Sequence, residues 1–417
     1  MSGVTLRTPC LKRTLIFMTE SNCLLSRQPI YGPEMNVTSY ELRSNYVNDE
    51  TSANLDHDQL RTVFKMFTDA GLDLVVGESQ SLVTLTPEAL SEGLWKTIPK
   101  SRVTIGYLQP FEPQDETARL LTEVAGAGYR LALSGKLPGE CMSMLSGGDH
   151  TVILDVTDFT PDGLQERVDS LRAYKSKITA TRVDTHDDLE YCKSLEFDFY
   201  QGQFLFKPAA KRKSIPVNRM NMIRLLSKLH DPKIPMPEIE KLVSQDVALS
   251  FKILRYANSA GAGLQREVNS AGHAVRLIGM KTVKAWSSAL LLSSVDDKPR
   301  ELMTSGLVRA RMCELLGGSL ETAKEESFLS AGLLSVLDAL LDCPMEQAIA
   351  ELPLSEEIKI ALIKGDGPIG QALHCAIAYE RADWDGVRFY GQHSSSIRAK
   401  YMSAIEWARK LNSELLN

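Results

Sequence analysis

The chain has 417 residues, 43% of them hydrophobic and 24% charged, a globular composition that excludes a mainly disordered chain, a collagen and a coiled-coil rod. Its 47 Lys and Arg against 53 Asp and Glu leave −6, a charge too mild to single out a partner. The longest apolar stretch lies around Ala289–Leu292, far short of the roughly 18–20 residues of a membrane helix, and Leu15–Met18 behind Lys12 and Arg13 is too brief for a signal peptide. A cytoplasmic chain without membrane contact is expected. The seven cysteines are widely spaced with no CxxC, which predicts reduced, buried thiols.

In chain order, β-rich runs alternate with helical ones. Val37–Tyr40, Ser81–Leu85, Arg102–Tyr107, Tyr129–Leu133, Thr151–Val156 and Ile178–Val183 read as strands. Pro113–Ala127, Asp162–Tyr174 and His186–Ser194 read as helices, the second opened by a Thr160-Pro161 start signal. Such alternation predicts a parallel sheet with crossover helices, open or closed into a barrel. The charge then changes sign. Residues 1–206 hold 19 basic and 29 acidic residues, residues 207–298 hold 16 and 7, and the rest 12 and 17. The change falls at Lys207-Pro208 and Lys211-Arg212-Lys213, which reads as a basic linker over 207–213. Beyond it the pattern is helical throughout. Met222, Leu225, Leu226 and Leu229 form one apolar stripe, and Val283, Trp286 and Leu290 form another.

Three short signals are weighed against plainer readings. Gly365-Asp366-Gly367-Pro368-Ile369-Gly370 has the GxGxxG spacing but follows a helical run, so it reads as a helix-ending loop. The His-Asp pairs at 57, 186 and 230 have no HxH or HExxH companions, and His230-Asp231 before Pro232 reads as a helix end, so no metal or cofactor is expected there. The basic segment 207–298 lacks interleaved aromatic platforms, which disfavours nucleic acid and favours protein contacts. Lys281 and Lys284 are the candidate partner surface.

Two stretches carry a family resemblance. Ser26-Arg27-Gln28-Pro29-Ile30 with Val37–Leu42, and Phe197–Phe204, resemble the opening and closing segments of EAL domains. Leu242–Leu249, Ile253–Ala260 and Ala274–Gly279 resemble an HDOD domain, the metal-free relative of HD-GYP domains. The tail, with Gly332-Leu333-Leu334, Glu351–Ile358 and Tyr379–Trp384, is similar to the tandem EAL–HDOD family. The resemblance implies an N-terminal extension over 1–22, an EAL-type (β/α) barrel over 23–206, the linker, and an all-helical HDOD domain with C-terminal helices over 214–417.

Active EAL barrels hydrolyse cyclic di-GMP with two divalent metals. Of the positions the family uses, Gln28, Glu41, Asp155 and Gln201 remain. A metal-binding Asn falls at Thr84, a metal Glu at Gly106, the Asp-Asp pair at Ser134 and Gly135, the KxD Lys at Ile153, a Glu at Thr181 and a phosphate-contacting Arg at Asn45. In the helical half, Ser335 and Val336 stand where HD-GYP enzymes carry His-Asp. The expectation is a degenerate, non-catalytic bacterial signalling scaffold in or near the cyclic di-GMP network. It would act through contacts with other signalling proteins, in motility, adhesion or biofilm control, with at most weak cyclic di-GMP contact and self-association left open. The alternative is a sensor that binds cyclic di-GMP without cutting it; an active phosphodiesterase and a nucleic-acid-binding protein rank behind both.

Overall fold

The computed structural model describes residues 23–46, 64, 69–137, 149–209, 217–231, 233–245, 247–258, 268–293, 295, 297–320 and 325–413. The expected extension over 1–22, the His57-Asp58 pair and most of the basic linker lie outside them. The chain divides into two compact units. One holds residues up to Phe204 with Glu380–Trp384 and His393–Ala399; the other holds Leu205–Tyr379, Asp385–Gln392 and the chain from Lys400.

The first unit is a closed barrel of eight strands paired in sequence order. These are β1 (Cys23–Tyr31), β2 (Val37–Tyr46), β3 (Gln80–Thr84), β4 (Val103–Tyr107), β5 (Arg130–Ser134), β6 (Thr151–Asp155), β7 (Lys177–Thr181) and β8 (Phe199–Tyr200). Strand β1 runs antiparallel to both neighbours, and β2 to β8 are parallel. Of the two arrangements open to the alternating pattern, closure is the one found. The strands β2 to β7 fall where the β-rich runs are, while β1 and β8 add to the expected set.

The helices α1 (Asp69–Val76), α2 (Pro87–Ser91), α3 (Glu116–Gly126), α4 (Pro161–Arg172) and α5 (His186–Ser194) alternate with the strands. Each longer crossover helix is apolar on one face. On α3 that face is Ala118, Leu121 and Val124, and on α4 it is Leu164, Val168 and Leu171. Burying each such Leu or Val contributes about 1.5–3 kcal/mol before entropy is counted. Local chemistry fixes where the helices begin. Thr160 accepts the N–H of Gly163 ahead of α4, and Thr185 and Asp188 form a reciprocal capping box at α5. His186 and Asp187 therefore sit in the first turn of α5. Inside the barrel, Ile30, Leu82, Ala132 and Ile153 form one apolar cluster.

The second unit is helical in all its described elements. These are α6 (Val217–His230), α7 (Met236–Gln245), α8 (Val247–Ala257), α9 (Ala271–Ile278), α10 (Met280–Leu292), α11 (Arg300–Gly317), α12 (Glu325–Leu334), α13 (Leu337–Leu341), α14 (Met345–Ala348), α15 (Glu356–Lys364) and α16 (Gly367–Glu380), while α17 (Ser394–Leu411) contributes to both units. Helix α11 is buried on nearly every side and lies against α12. A β-carbon on Gly332 would stand 2.5 Å from the Arg309 carbonyl oxygen, so only glycine lets the two backbones approach this closely. Gly365, left-handed at φ 72°, ends α15, and Gly367 starts α16, so the GxGxxG spacing ends one helix as expected, but only Gly365 and Asp366 link the two and its last four residues form the first turn of the next helix.

A buried ionic cluster joins several of these helices. Arg219 on α6 makes a bidentate contact with Asp297 at 2.7 and 2.6 Å and donates to the Leu340 carbonyl. Asp342, left-handed at the end of α13, accepts from Lys298 Nζ at 2.6 Å and from the Ala209 N–H at 2.8 Å. Burial pushes the Asp342 carboxyl up, but these two hydrogen bonds with the charges of Lys298 and Arg219 hold it below its ordinary range. His230, at the end of α6, lies 3.2 Å from Ser288 Oγ; burial first, and the charge of Lys284 second, push its pKa down to about 4. Cys192, Cys313, Cys343 and Cys375 are free and buried, and burial pushes Cys192 and Cys375 up to about 12, which keeps them protonated and unreactive. Cys10 and Cys141 lie outside the described residues.

Candidate functional site

Parallel strands β2 to β8 end on one face of the barrel, the face where barrels of this kind gather functional side chains. Glu41 on β2 is 5% exposed there. Its Oε2 accepts a 2.8 Å hydrogen bond from Gln201 Nε2 and lies 3.1 Å from Arg43. Alternation along β2 puts Glu41 and Arg43 on the same side of the sheet. The Gln201 N–H donates to the Ala180 carbonyl, and the Gln201 carbonyl accepts from Val183, which fixes the amide opposite the carboxylate. Gly202 follows because a β-carbon there would lie 1.9 Å from the Val183 carbonyl oxygen.

Around this pair the structure gathers the other expected positions. Thr84 and Gly106 are register neighbours on β3 and β4, and a β-carbon at 106 would stand 3.0 Å from Thr84 Oγ1. Ser134 pairs with Ile153 across β5 and β6. Gly135 donates to the Ile153 carbonyl at 2.7 Å and accepts from Arg167 Nε at 2.5 Å. Ile153 itself belongs to the apolar interior. Asp155, at the end of β6, accepts from the Thr157 N–H at 3.0 Å and the Thr157 hydroxyl at 2.7 Å, and lies 3.9 Å from Arg182. Thr181 is its register neighbour and donates to the Leu154 carbonyl. Asn45 is half-buried on β2, opposite Leu24. Gln28 on β1 is the cross-strand register partner of Glu41, and its amide donates to the Arg381 carbonyl of the same unit at 2.8 Å.

The donor set does not fit the two divalent cations that the resemblance implies. Its two carboxylates are each engaged by protein donors, and Thr84, Ser134 and Thr181 offer only hydroxyls. Among the described residues no group of three or more His, Cys, Asp or Glu is placed to hold a metal ion. Hard divalent cations need several charged oxygens for neutralisation.

In the helical unit, Ser335 Oγ donates to the Gly332 carbonyl at 2.7 Å, Arg309 reaches Ser335 at 3.4 Å, and Val336 is buried beside Gly306. Both positions hold packing roles. The surface expected at Lys281 and Lys284 needs correction. Lys284 is only 9% exposed and lies 3.6 Å from Glu326, because α10 is covered along nearly its whole length; the Lys281 side chain lies outside the described set. Arg43 and Arg182 are the site residues that sequence reasoning passes over. The first was legible from its two-residue spacing to Glu41. The second is set by a left-handed backbone at φ 58° just past β7, which no local pattern announces. No helix among the described residues is long and apolar enough to cross a membrane.

Residues 215–379 match the family described as the HDOD domain. The chain is 27% identical over 403 residues to the cyclic di-GMP phosphodiesterase CdgJ of Vibrio cholerae, covering 93% of each chain. It is 23% identical over 401 residues to the Bacillus subtilis protein YuxH, covering 93% of this chain and 98% of that one. Among solved structures it is similar to the Bacillus subtilis YkuI protein with an EAL domain, in complex with substrate c-di-GMP and calcium: 17% identity, 46% of this chain, 56% of that chain, TM-score 0.35. The first similarity overturns the expectation of a chain without catalytic activity, since a relative aligned almost end to end bears a phosphodiesterase name. The chain thus joins an eight-stranded barrel bearing EAL-type opening and closing segments to a domain of the HDOD family.

Proposed function

We propose that this chain is a cyclic di-GMP signalling protein that takes the dinucleotide at the C-terminal mouth of its barrel and works through protein contacts of its helical half. The observation that carries this reading is the 27% identity over 93% of both chains to a cyclic di-GMP phosphodiesterase. The chemistry of the mouth supports it. Cyclic di-GMP bears two phosphodiester charges, and Arg43 and Arg182 bring two guanidiniums whose side chains are 48% and 65% exposed. At that exposure their pairings with Glu41 and Asp155 are weak, and a phosphate can replace them with charge-assisted hydrogen bonds. Glu41 and Gln201 present a carboxylate and an amide for guanine edges, with Gln28 and Asp155 at the margins. Motility, adhesion or biofilm control is the setting we propose for the protein contacts.

The test combines calorimetry with cyclic di-GMP and chromatography of linear product in Mg²⁺ or Mn²⁺. Wild-type protein should show saturable binding or metal-dependent turnover. Arg43→Ala with Arg182→Ala should weaken either at least about tenfold, or 1.4 kcal/mol, with an unchanged circular-dichroism spectrum. Absence of both binding and turnover in folded wild-type protein sinks the reading.

A further inference from the structure

The opposite end of the barrel, where the parallel strands begin, holds a cavity of about 130 Å³. Barrel interiors of this kind are ordinarily filled by layers of Val, Ile and Leu. Here Gln80, Arg130 and Thr151 stand two residues before Leu82, Ala132 and Ile153, so alternation puts them on the same inward face as that apolar cluster. Thr104, Lys177 and Thr179 complete a polar wall. The interior is therefore underfilled and two-toned: apolar at the Ile30, Leu82, Ala132, Ile153 floor with Phe199 against it, polar at the rim.

The rim carries unequal charge. Lys177 Nζ lies 2.8 Å from Asp149 and 5.9 Å from the centre of the Phe199 ring. Arg130 donates to the neutral side-chain oxygen of Gln80. Asp149 is paired with Lys177 and also feels the charge of Arg130, so two cations and one carboxylate leave the wall one net positive charge, with the guanidinium held only by the amide of Gln80 and this shared field. A guanidinium has five donors in a fork that matches a carboxylate, and one amide uses only one of them.

We propose that this cavity is a binding site for a small monocarboxylic acid with a compact apolar body, its carboxylate on Arg130 and its body on the Ile30, Leu82 and Phe199 surface. Size sets the body. An apolar cavity of about 150 Å³ accommodates benzene, so this one suits a body of about six non-hydrogen atoms with the acid group at the open rim. Cyclic di-GMP is far too large to enter, so the site is separate from the mouth at the other end and stands or falls independently of it.

Benzoate is the probe, titrated into the full chain by calorimetry and by ligand-observed NMR. The matched probes are benzyl alcohol, which keeps the body and lacks the charge, and inorganic phosphate, which keeps a charge and lacks the body. Benzoate should bind saturably with a dissociation constant in the millimolar range or tighter, and each matched probe should bind at least about tenfold more weakly. Arg130→Gln should weaken benzoate at least about tenfold with an unchanged thermal melt. If that variant does not fold, Lys177→Gln replaces it. This half-exposed residue frees Asp149 to repel the ligand, so benzoate should again weaken. No saturable benzoate binding, equal binding of either matched probe, or folded variants that bind as wild type would each overturn the proposal and leave a water-filled cavity or a plain anion site.

Discussion

The two units treat a buried carboxylate in opposite ways. In the helical unit, Asp342 is enclosed by Lys298, Arg219 and a backbone N–H, so its charge is matched by fixed donors on several elements. In the barrel, Glu41 meets a neutral amide and an arginine whose side chain is nearly half exposed. The first arrangement uses charge to lock helices together. The second leaves the carboxylate with one amide and one half-exposed guanidinium where the strands end. The difference teaches that two carboxylates almost equally buried can be held by very different amounts of fixed charge, something burial alone would not distinguish.

The largest effect should follow from breaking the matched cluster. Asp342→Ala strands the buried Lys298 ammonium and leaves Arg219 to Asp297 alone, and should destabilise the helical unit by about 3–5 kcal/mol, read as a lower denaturant midpoint for its transition. If the midpoint stays in place, the cluster is not a lock. Acid should come next. The folded pKa of His230 is about 4, below the unfolded value near 6.5, so the unfolded chain binds the extra proton between them. Stability should therefore be intact above about pH 6.5 and fall by on the order of 2–3 kcal/mol as the pH drops towards 4. His150, lowered by its own burial while its Nδ1 accepts the Leu131 N–H, shifts in the same direction. A His230→Gln variant should flatten this dependence in pH-series melts, and an equally steep loss would remove His230 from the account. A smaller loss, about 1–2 kcal/mol, is expected for Gln201→Ala, which leaves Glu41 short of its amide partner. Smallest of all, Arg43→Ala should cost under about 1 kcal/mol, since exposed ion pairs contribute little. A greater loss from Arg43→Ala than from Asp342→Ala would invert the comparison.

How much of this was legible depended on distance along the chain. Strands β3 to β7 stand out because parallel strands buried on both faces concentrate β-branched and aliphatic residues. Strand β1 escaped notice because Ser26, Arg27, Gln28 and Pro29 interrupt its apolar character, and β8 because it has only two residues. Glu41 and Gln201 were readable as separate survivors of two segments. Their 2.8 Å contact spans 160 positions and exists only once the barrel closes. Lys284 was misread for a related reason. A stripe of Val283, Trp286 and Leu290 gives α10 one apolar face, whereas its burial on the remaining sides comes from neighbouring helices that no local window contains. The cavity at the strand starts was invisible for the same reason, since its wall takes single residues from strand after strand.

Barrel closure also has a consequence in time. Strand β1 meets β8 through the single register pair Tyr31–Tyr200. The last seam therefore joins segments made far apart during translation. At about 5–20 residues per second, β1 waits roughly ten to thirty seconds for its partner to be synthesised. Throughout that interval the nascent sheet has bare edges at β1 and at its newest strand, the state in which strands most readily pair with the wrong chain. The polar run Ser26-Arg27-Gln28-Pro29 within β1, a poor template for foreign strands, places a guard on the edge that stays open longest.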